Sequence, residues 1–172
     1  MYRIQLFHCL QPATEGGGET LLVDGFAVSE EYRKMYPEGF EFLSQTSIES
    51  EYLHTLSPPY AHYKNTDTVF KLHSDNLTVK QIRLNPYDRA THEKMDLSTQ
   101  LKFYELYPKL IEMAQSEDFV VKLNLTPGNV LLLYNWRVLH GRTAFKGQRT
   151  LSGCYVGHQD FLSQCRVHKL IE

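Results

Sequence analysis

Asn135-Trp136-Arg137-Val138-Leu139-His140-Gly141-Arg142, with Arg149 a short turn further on, is the stretch that decides the fold. Residues 138–140 end a strand, residues 141–147 turn, and Arg149 opens a return strand. The spacing therefore predicts a hairpin with His140 and Arg149 near each other at one end of a sheet. In period-2 counting Arg149, Leu151, Gly153 and Tyr155 share a face. An arginine on an apolar strand face needs an anion, and a carboxylate matches its planar fork in a bidentate way. That carboxylate belongs either to a ligand or to an internal Asp or Glu, and spacing leaves both open. A histidine at a strand end is either a satisfied core residue or one donor of a 2-His-1-carboxylate metal site. A single imidazole cannot hold a catalytic metal, and no convincing partner donors stand elsewhere in the chain.

Working outward, residues 3–9 read as a strand, residues 12–18 as a loop closing on Gly16-Gly17-Gly18, and residues 20–23 as a second strand. A hairpin is expected to open the chain. Ser29, followed by Glu30 and Glu31, starts a short amphipathic helix to about Met35, and Pro37 starts another through Phe40 and Leu43. Both read as connecting helices on the outside. Short β-like segments follow at 48–52, 69–73 and 79–84, broken by Ser57-Pro58-Pro59 and Ser74-Asp75-Asn76. Leu97, Leu101, Tyr104, Ile111 and Ala114 mark one face of a helix over 97–115, expected to cover a sheet. The last third returns to strands at 119–125, 130–134, 137–140 and 150–156, with a Thr126-Pro127-Gly128-Asn129 turn between the first two. A helix over 158–170 closes the chain. Without repeats or linkers, residues 1–172 read as one mainly β domain with flanking helices, a two-sheet barrel or jelly roll.

Composition narrows the function. Of 172 residues, 42% are hydrophobic and 22% charged, which is ordinary globular usage and argues against disorder or a coiled coil. Eighteen basic against twenty acidic residues, with no Lys/Arg block, make nucleic acid a poor partner. Cys9, Cys154 and Cys165 are three cysteines without C-x-x-C spacing, which fits reduced thiols in an intracellular compartment and not a disulfide framework or zinc cluster. No apolar run approaches the roughly 18 residues of a membrane span. The chain is expected to start directly in alternating β sequence without a leader, its first strand being either a short edge strand or one whose neighbour is built by sequence that is not here. An exposed first strand invites aggregation or a homodimer.

Four separate motifs in order carry a resemblance. Phe7-His8-Cys9-Leu10, Gly17-Gly18-Glu19-Thr20-Leu21-Leu22-Val23-Asp24-Gly25-Phe26, the Asn135 to Arg142 stretch, and Arg149 with Gly153-Cys154-Tyr155 resemble the C-terminal portion of the gamma-butyrobetaine hydroxylase family of iron(II)/2-oxoglutarate oxygenases. Ile82-Arg83-Leu84-Asn85-Pro86-Tyr87-Asp88-Arg89 is more similar to the branch acting on trimethyllysine than to the branch acting on gamma-butyrobetaine. The resemblance implies a double-stranded β-helix (jelly roll), incomplete at its N-terminus. It makes His140 the distal iron ligand, Arg149 the partner of the far carboxylate of 2-oxoglutarate, and Thr20 a hydroxyl against the same carboxylate. Arg142 either touches that cosubstrate or makes a structural salt bridge. Asn85, Tyr87 and Arg89 would line the pocket for a small trimethylammonium substrate. The implied cofactors are iron(II) and 2-oxoglutarate, with ascorbate as an accessory reductant, and the implied compartment is the mitochondrial matrix.

The resemblance also implies a deficit. The family's first two iron ligands form a His-x-Asp motif upstream of the segment matching residues 2–10, so two donors of three are expected to be missing from this chain. Much of the aromatic cage for a trimethylammonium group belongs to the same upstream part. His73-Ser74-Asp75 and His158-Gln159-Asp160 imitate the motif but read as a polar turn and as the start of the last helix, capped through Asp160. His8, His54, His62, His92 and His168 lack ligand spacing, and Trp136 reads as core. Tyr134 stands where the family more often has an acid.

Overall fold

The computed structural model describes residues 3–172; Met1 and Tyr2, where the alternating first strand was expected to begin, lie outside the described residues. The elements run β1 (Ile4–Gln11), β2 (Thr20–Asp24), α1 (Gly25–Met35), α2 (Pro37–Gln45), β3 (Ile48–His54), β4 (Ala61–Asp67), β5 (Phe70–Leu72) and β6 (Val79–Ile82). Then come α3 (Leu97–Gln115), β7 (Val120–Leu123), β8 (Val130–Tyr134), β9 (Val138–Arg142), β10 (Thr150–Val156) and α4 (His158–Val167). They fall into two compact units, one of residues up to 24 with 117–172, the other of residues 25–116.

The first unit is two three-stranded antiparallel sheets, ordered β10-β1-β8 and β7-β2-β9, the jelly-roll pairing expected for the fold class. Along β1 the side chains alternate. Gln5, Phe7 and Cys9 share a face with Tyr155, Gly153 and Leu151 of β10 and with Leu133 and Leu131 of β8, opposite them in register. Gln5, Cys9 and Leu133 are buried there.

Two expected hairpins do not form. β1 and β2 sit in different sheets, as do β9 and β10. The reason lies in the two connecting loops, which bond to each other. Thr14 N–H donates to the Gln148 carbonyl at 3.1 Å, Lys146 N–H to that of Gly16 at 3.1 Å, and Gly18 N–H to that of Ala144 at 3.1 Å. Each loop carries its chain from one sheet to the other, so neighbours in sequence become neighbours across the sandwich.

In the second unit the two-stranded sheets β3-β4 and β5-β6 accompany three helices. α1 and α2 are not outside connectors: Val28, Tyr32, Phe40 and Leu43 are buried. Phe40 stacks on Phe70 with ring centroids 4.6 Å apart. The Tyr32 hydroxyl donates to the Leu106 carbonyl at 2.9 Å, and burial pushes its pKa up to about 12. Ser29 does not start α1. It lies buried in the second turn of a helix that begins at Gly25, with its hydroxyl bonded back to the Gly25 carbonyl at 2.6 Å. β4 is a strand that sequence reading passed over, because Ala61-His62-Tyr63-Lys64-Asn65-Thr66-Asp67 carries no apolar alternation.

α3 spans the expected residues, but its buried face is Phe103, Leu106, Tyr107, Leu110 and Ala114, packed on α1 and α2 and not on a sheet. Leu97, Leu101 and Tyr104, expected inside, are 70%, 63% and 51% exposed. The helix start is explicit. Asp96 is the N-cap, its carboxylate accepting the Thr99 N–H at 3.0 Å and the Thr99 hydroxyl at 2.6 Å. The Ser98 hydroxyl, the Thr99 hydroxyl and the Thr99 N–H together hold its pKa well below the usual carboxylate range. A depressed folded pKa makes the cap's contribution fully present above about pH 4, the unfolded value, and lost as pH falls through the folded value. Asp96→Ala is thus expected to lower Tm at neutral pH and to lose less further stability than the parent on acidification below about pH 4. Circular dichroism melts across that range check this, and equal neutral-pH Tm values would count against the cap.

Candidate functional site

The chemistry-bearing side chains of the first unit converge where its two sheets face each other. In the β2–β9 pairing Thr20 lies opposite Arg142 and Leu22 opposite His140, so all four project from one face. From the other sheet, the Phe7 ring meets the His140 ring edge-on with centroids 5.5 Å apart. Arg149 precedes β10 on the Leu151–Gly153–Tyr155 face. A Cβ placed on Gly18 would stand 3.2 Å from the Arg149 Cδ, so the absence of a side chain there makes room for the arginine stem. His140, on β9, and Arg149, just ahead of β10, therefore stand on different sheets and not within the one hairpin that the spacing predicts.

An edge of the His140 ring reaches solvent, yet the groups crowded around it push its pKa below the ordinary imidazole value. A long 3.5 Å contact from Nδ1 to the Val138 carbonyl opposes this only in part. With Nδ1 donating, Nε2 keeps its lone pair, which is the form that binds a metal ion. Among the described residues Arg142 makes no salt bridge; its guanidinium lies 4.6 Å from the centroid of the Phe145 ring and donates to the Thr143 carbonyl at 3.3 Å.

Arg149 is the informative group. Among the described residues no Asp or Glu pairs with it, although nine other ion pairs form, among them Arg137–Asp24 at 2.6 Å. The internal carboxylate that spacing left open is not there. Thr20 is 7% exposed, and its hydroxyl takes no protein partner among the described residues. A fork with no protein carboxylate, whose stem packs at Gly18 two residues before the buried Thr20, fits the carboxylate of a small anion.

The donor set does not by itself fit a metal ion. Among the described residues no group of three or more His, Cys, Asp or Glu side chains gathers, and His140 offers one nitrogen. His73 and Asp75 do not repair this. Asp75 is spent on its own turn, accepting from the Leu77 and Thr78 N–H groups at 2.9 Å each and from the Thr78 hydroxyl at 2.5 Å. Those bonds, the Thr78 hydroxyl first, hold its pKa down at about 2. His158 bonds Arg3 instead of a metal. α4 has Gly157 as N-cap with no side-chain cap bond, so the expected cap through Asp160 is absent. Arg3 also lies 4.8 Å from the ring centroids of both Tyr134 and Trp136 and donates from Nε to the Tyr134 hydroxyl at 2.8 Å. Tyr134 therefore has a structural task where an acid was the family habit.

In the second unit, Asn85 accepts the Tyr87 N–H at 3.0 Å and donates to Asp88 at 2.7 Å, which makes it a turn former. Tyr87 is 92% exposed. Arg89 lies 5.7 Å from the ring centroids of both Tyr104 and Tyr107. Sequence reasoning missed Phe7 and Gly18 as parts of the site. Their signal was present in the period-2 register, which puts Gly18 on the face of Thr20.

Known proteins share this sequence and this fold. The model of the taurine catabolism dioxygenase TauD, TfdA family matches residues 1–155. Mitochondrial trimethyllysine dioxygenase of Homo sapiens is 40% identical over 167 residues, covering 95% of this chain and 39% of that protein. The same enzyme of Rattus norvegicus is 36% identical over 165 residues with the same coverage. Gamma-butyrobetaine dioxygenase of a Pseudomonas strain is 33% identical over 167 residues, covering 95% of this chain and 42% of that one. The chain thus spans about two fifths of the length of these relatives. Among solved structures, AAD-2 in complex with Mn(II) and N-oxalylglycine superposes with a TM-score of 0.66 at 15% identity, over 90% of this chain and 63% of that one. The non-heme iron oxygenase OrfP, in complex with Fe and alpha-ketoglutaric acid, gives 0.61 at 15%, over 96% and 47%. Both show a shared fold.

Proposed function

This chain belongs to the taurine catabolism dioxygenase TauD, TfdA family, and on that premise we propose that residues 1–172 are the C-terminal part of a single oxygenase domain. The complete protein would hydroxylate trimethyllysine at the start of carnitine synthesis, with iron(II), dioxygen, 2-oxoglutarate and accessory ascorbate. The observation that carries the reading is Arg149, which pairs with no Asp or Glu among the described residues and whose stem packs at Gly18, two residues before the buried Thr20. Its fork would take the far carboxylate of 2-oxoglutarate in a bidentate way, and the Thr20 hydroxyl would donate to the same group. Arg142, stacked on Phe145, would close the cosubstrate side of the pocket. His140 would give one nitrogen to the metal, with the other donors supplied from outside this chain. Asn85, Tyr87 and Arg89 would contribute to substrate recognition, Tyr87 through its exposed ring. The mitochondrial names of the relatives support the matrix as the compartment. Gamma-butyrobetaine is the second substrate to try, since a dioxygenase acting on it matches at 33% identity.

One donor nitrogen favours a second reading for the isolated chain, a non-catalytic remnant or partner subunit that keeps the cosubstrate half-site. Iron(II) and 2-oxoglutarate titrations of the 172-residue chain, with His140→Ala and His73→Ala, separate the readings. The expected result is weak 2-oxoglutarate binding and no tight iron site, with His73→Ala indistinguishable from the parent. Tight iron binding lost in both variants would show a metal site built on His73 and overturn the assignment. Turnover of trimethyllysine against gamma-butyrobetaine by the complete protein then decides the substrate.

A further inference from the structure

Residues 83–96, which join β6 to α3 and carry Asn85, Tyr87 and Arg89, form no strand or helix of their own. They are held from two sides. Along β3, the Glu51 N–H donates to the Asp88 carbonyl at 3.0 Å and the Ala90 N–H to that of Glu49 at 3.2 Å, around the Ser50–Arg89 bridge. Along α3, aromatic side chains meet the segment at successive points. The Tyr107 hydroxyl accepts the backbone N–H of Asn85, the Arg89 guanidinium lies near the rings of Tyr104 and Tyr107, and the His92 ring meets Phe103 edge-on with centroids 5.1 Å apart. The Gln100 side-chain amide donates to the His92 carbonyl at 3.0 Å and to the Met95 carbonyl at 2.7 Å. His92 is thus fixed to α3 by both its main chain and its ring.

That histidine is 7% exposed, and its Nε2 is buried with no hydrogen-bond partner among the described residues. A neutral imidazole suits such a place. An imidazolium would bury a charge together with an Nε2–H that nothing accepts. The surrounding charges do little to offset this. Arg89 repels the proton, and Glu49 of β3, which favours it, is engaged by Lys94 at 3.3 Å. Glu93 is exposed and takes the Thr91 hydroxyl at 3.2 Å, while α3 faces the ring with Phe103 and the phenol of Tyr104. Burial first, and Arg89 second, hold the His92 pKa below the ordinary imidazole value.

We propose that His92 is a positioning residue: its neutral ring locks residues 83–96 onto α3, and a proton on that ring opens the lock and loosens the turn at residues 85–89. The consequence for substrate rests on the reading of that turn as a substrate-contacting segment; the lock itself does not. Because the folded pKa is the lower one, the lock contributes in full above the ordinary imidazole value of about 6.5 and is lost as pH falls through the folded value. Between those two values closure weakens by about tenfold per pH unit.

Hydrogen exchange of the 172-residue chain, read as protection factors from about pH 8 to about pH 5, tests the lock across the imidazole range. The expected result is that the Glu51, Ala90 and Met95 N–H groups, all bonded to or within the segment, lose protection on acidification by about tenfold per pH unit. The Phe40 N–H, bonded to the Tyr36 carbonyl in α2, should keep its own. His92→Phe retains an aromatic ring against Phe103 and removes the titration, so its protection should hold across the range. His73→Gln, at an exposed histidine of the same unit, should follow the parent. Nuclear magnetic resonance of the His92 ring in the parent needs no variant, and ring protonation and amide loss should run together. Protection that ignores pH, that falls equally in His92→Phe, or that is lost while the ring is still neutral would overturn the lock. On the complete protein, KM for trimethyllysine should rise on acidification more in the parent than in His92→Phe, with kcat moving alike in both. A lock that opens in the chain while the two KM values move together would overturn the turn's part in substrate binding and leave the lock standing.

Discussion

Arg149→Ala is expected to abolish measurable 2-oxoglutarate binding while leaving the melting curve close to that of the parent chain. Removing one partner of a hydrogen-bonded charge pair costs about 2–5 kcal/mol, a loss of roughly thirty-fold to several thousand-fold in affinity. The fold should feel little, because among the described residues no protein carboxylate depends on this guanidinium. Arg149→Lys should fall between the two, since it keeps the charge and loses the fork. Calorimetric titration of 2-oxoglutarate into the three proteins, with parallel melts, decides the matter. A structural arginine would give the opposite signature of lowered Tm and unchanged affinity. The parent's affinity should also decline with added salt, because the contact is ionic and its site opens to solvent.

The elements legible in the sequence are those set by local chemistry. α3 begins where the sequence pattern put it, at a start fixed by Asp96, Ser98 and Thr99, a cap that depends on four consecutive residues. α2 starts at Pro37 for a comparable reason. What periodicity could not decide is which face of α3 is covered. Leu97-Leu101-Tyr104 and Phe103-Leu106-Tyr107-Leu110 are both apolar stripes at helical spacing, and only the packing of α1 and α2 selects the second.

The expected hairpins failed for a related reason. β1 pairs with β10, Ile4 opposite Val156 and Phe7 opposite Gly153, across most of the chain. No short window encodes such a pairing, and the nearer strand is the default guess. The candidate site residues were easier to nominate because they are special residue types. A lone histidine and a lone arginine at strand ends are visible whatever sheet they join. Their geometry depended on Gly18 and Phe7, ordinary residues whose importance comes from what stands opposite them.

Gly17→Ala is expected to produce the second large effect, on stability and cosubstrate affinity together. Gly17 has φ +74, and a Cβ there would lie 2.1 Å from the Ala144 carbonyl oxygen, which is backbone and cannot swing aside. The left-handed conformation costs a residue with a side chain about 1–2 kcal/mol. Forcing the backbone apart adds about 1–3 kcal/mol, the usual range for overpacking. The strain falls on the Gly17–Phe145 bridge and on the neighbouring bond from Gly18 N–H to the Ala144 carbonyl. Those links lock the two sheet-crossing loops together and set Gly18 against Arg149. Gly16→Ala supplies the comparison, since Gly16 has φ +101 and a Cβ added there would meet nothing within 4 Å. It should bear only the conformational cost and keep its 2-oxoglutarate affinity. Melts and titrations of both variants separate the causes. Equal destabilisation would mean that the close approach to Ala144 contributes nothing. A destabilised Gly17→Ala with parental affinity would mean that Arg149 is positioned without help from the glycine loop.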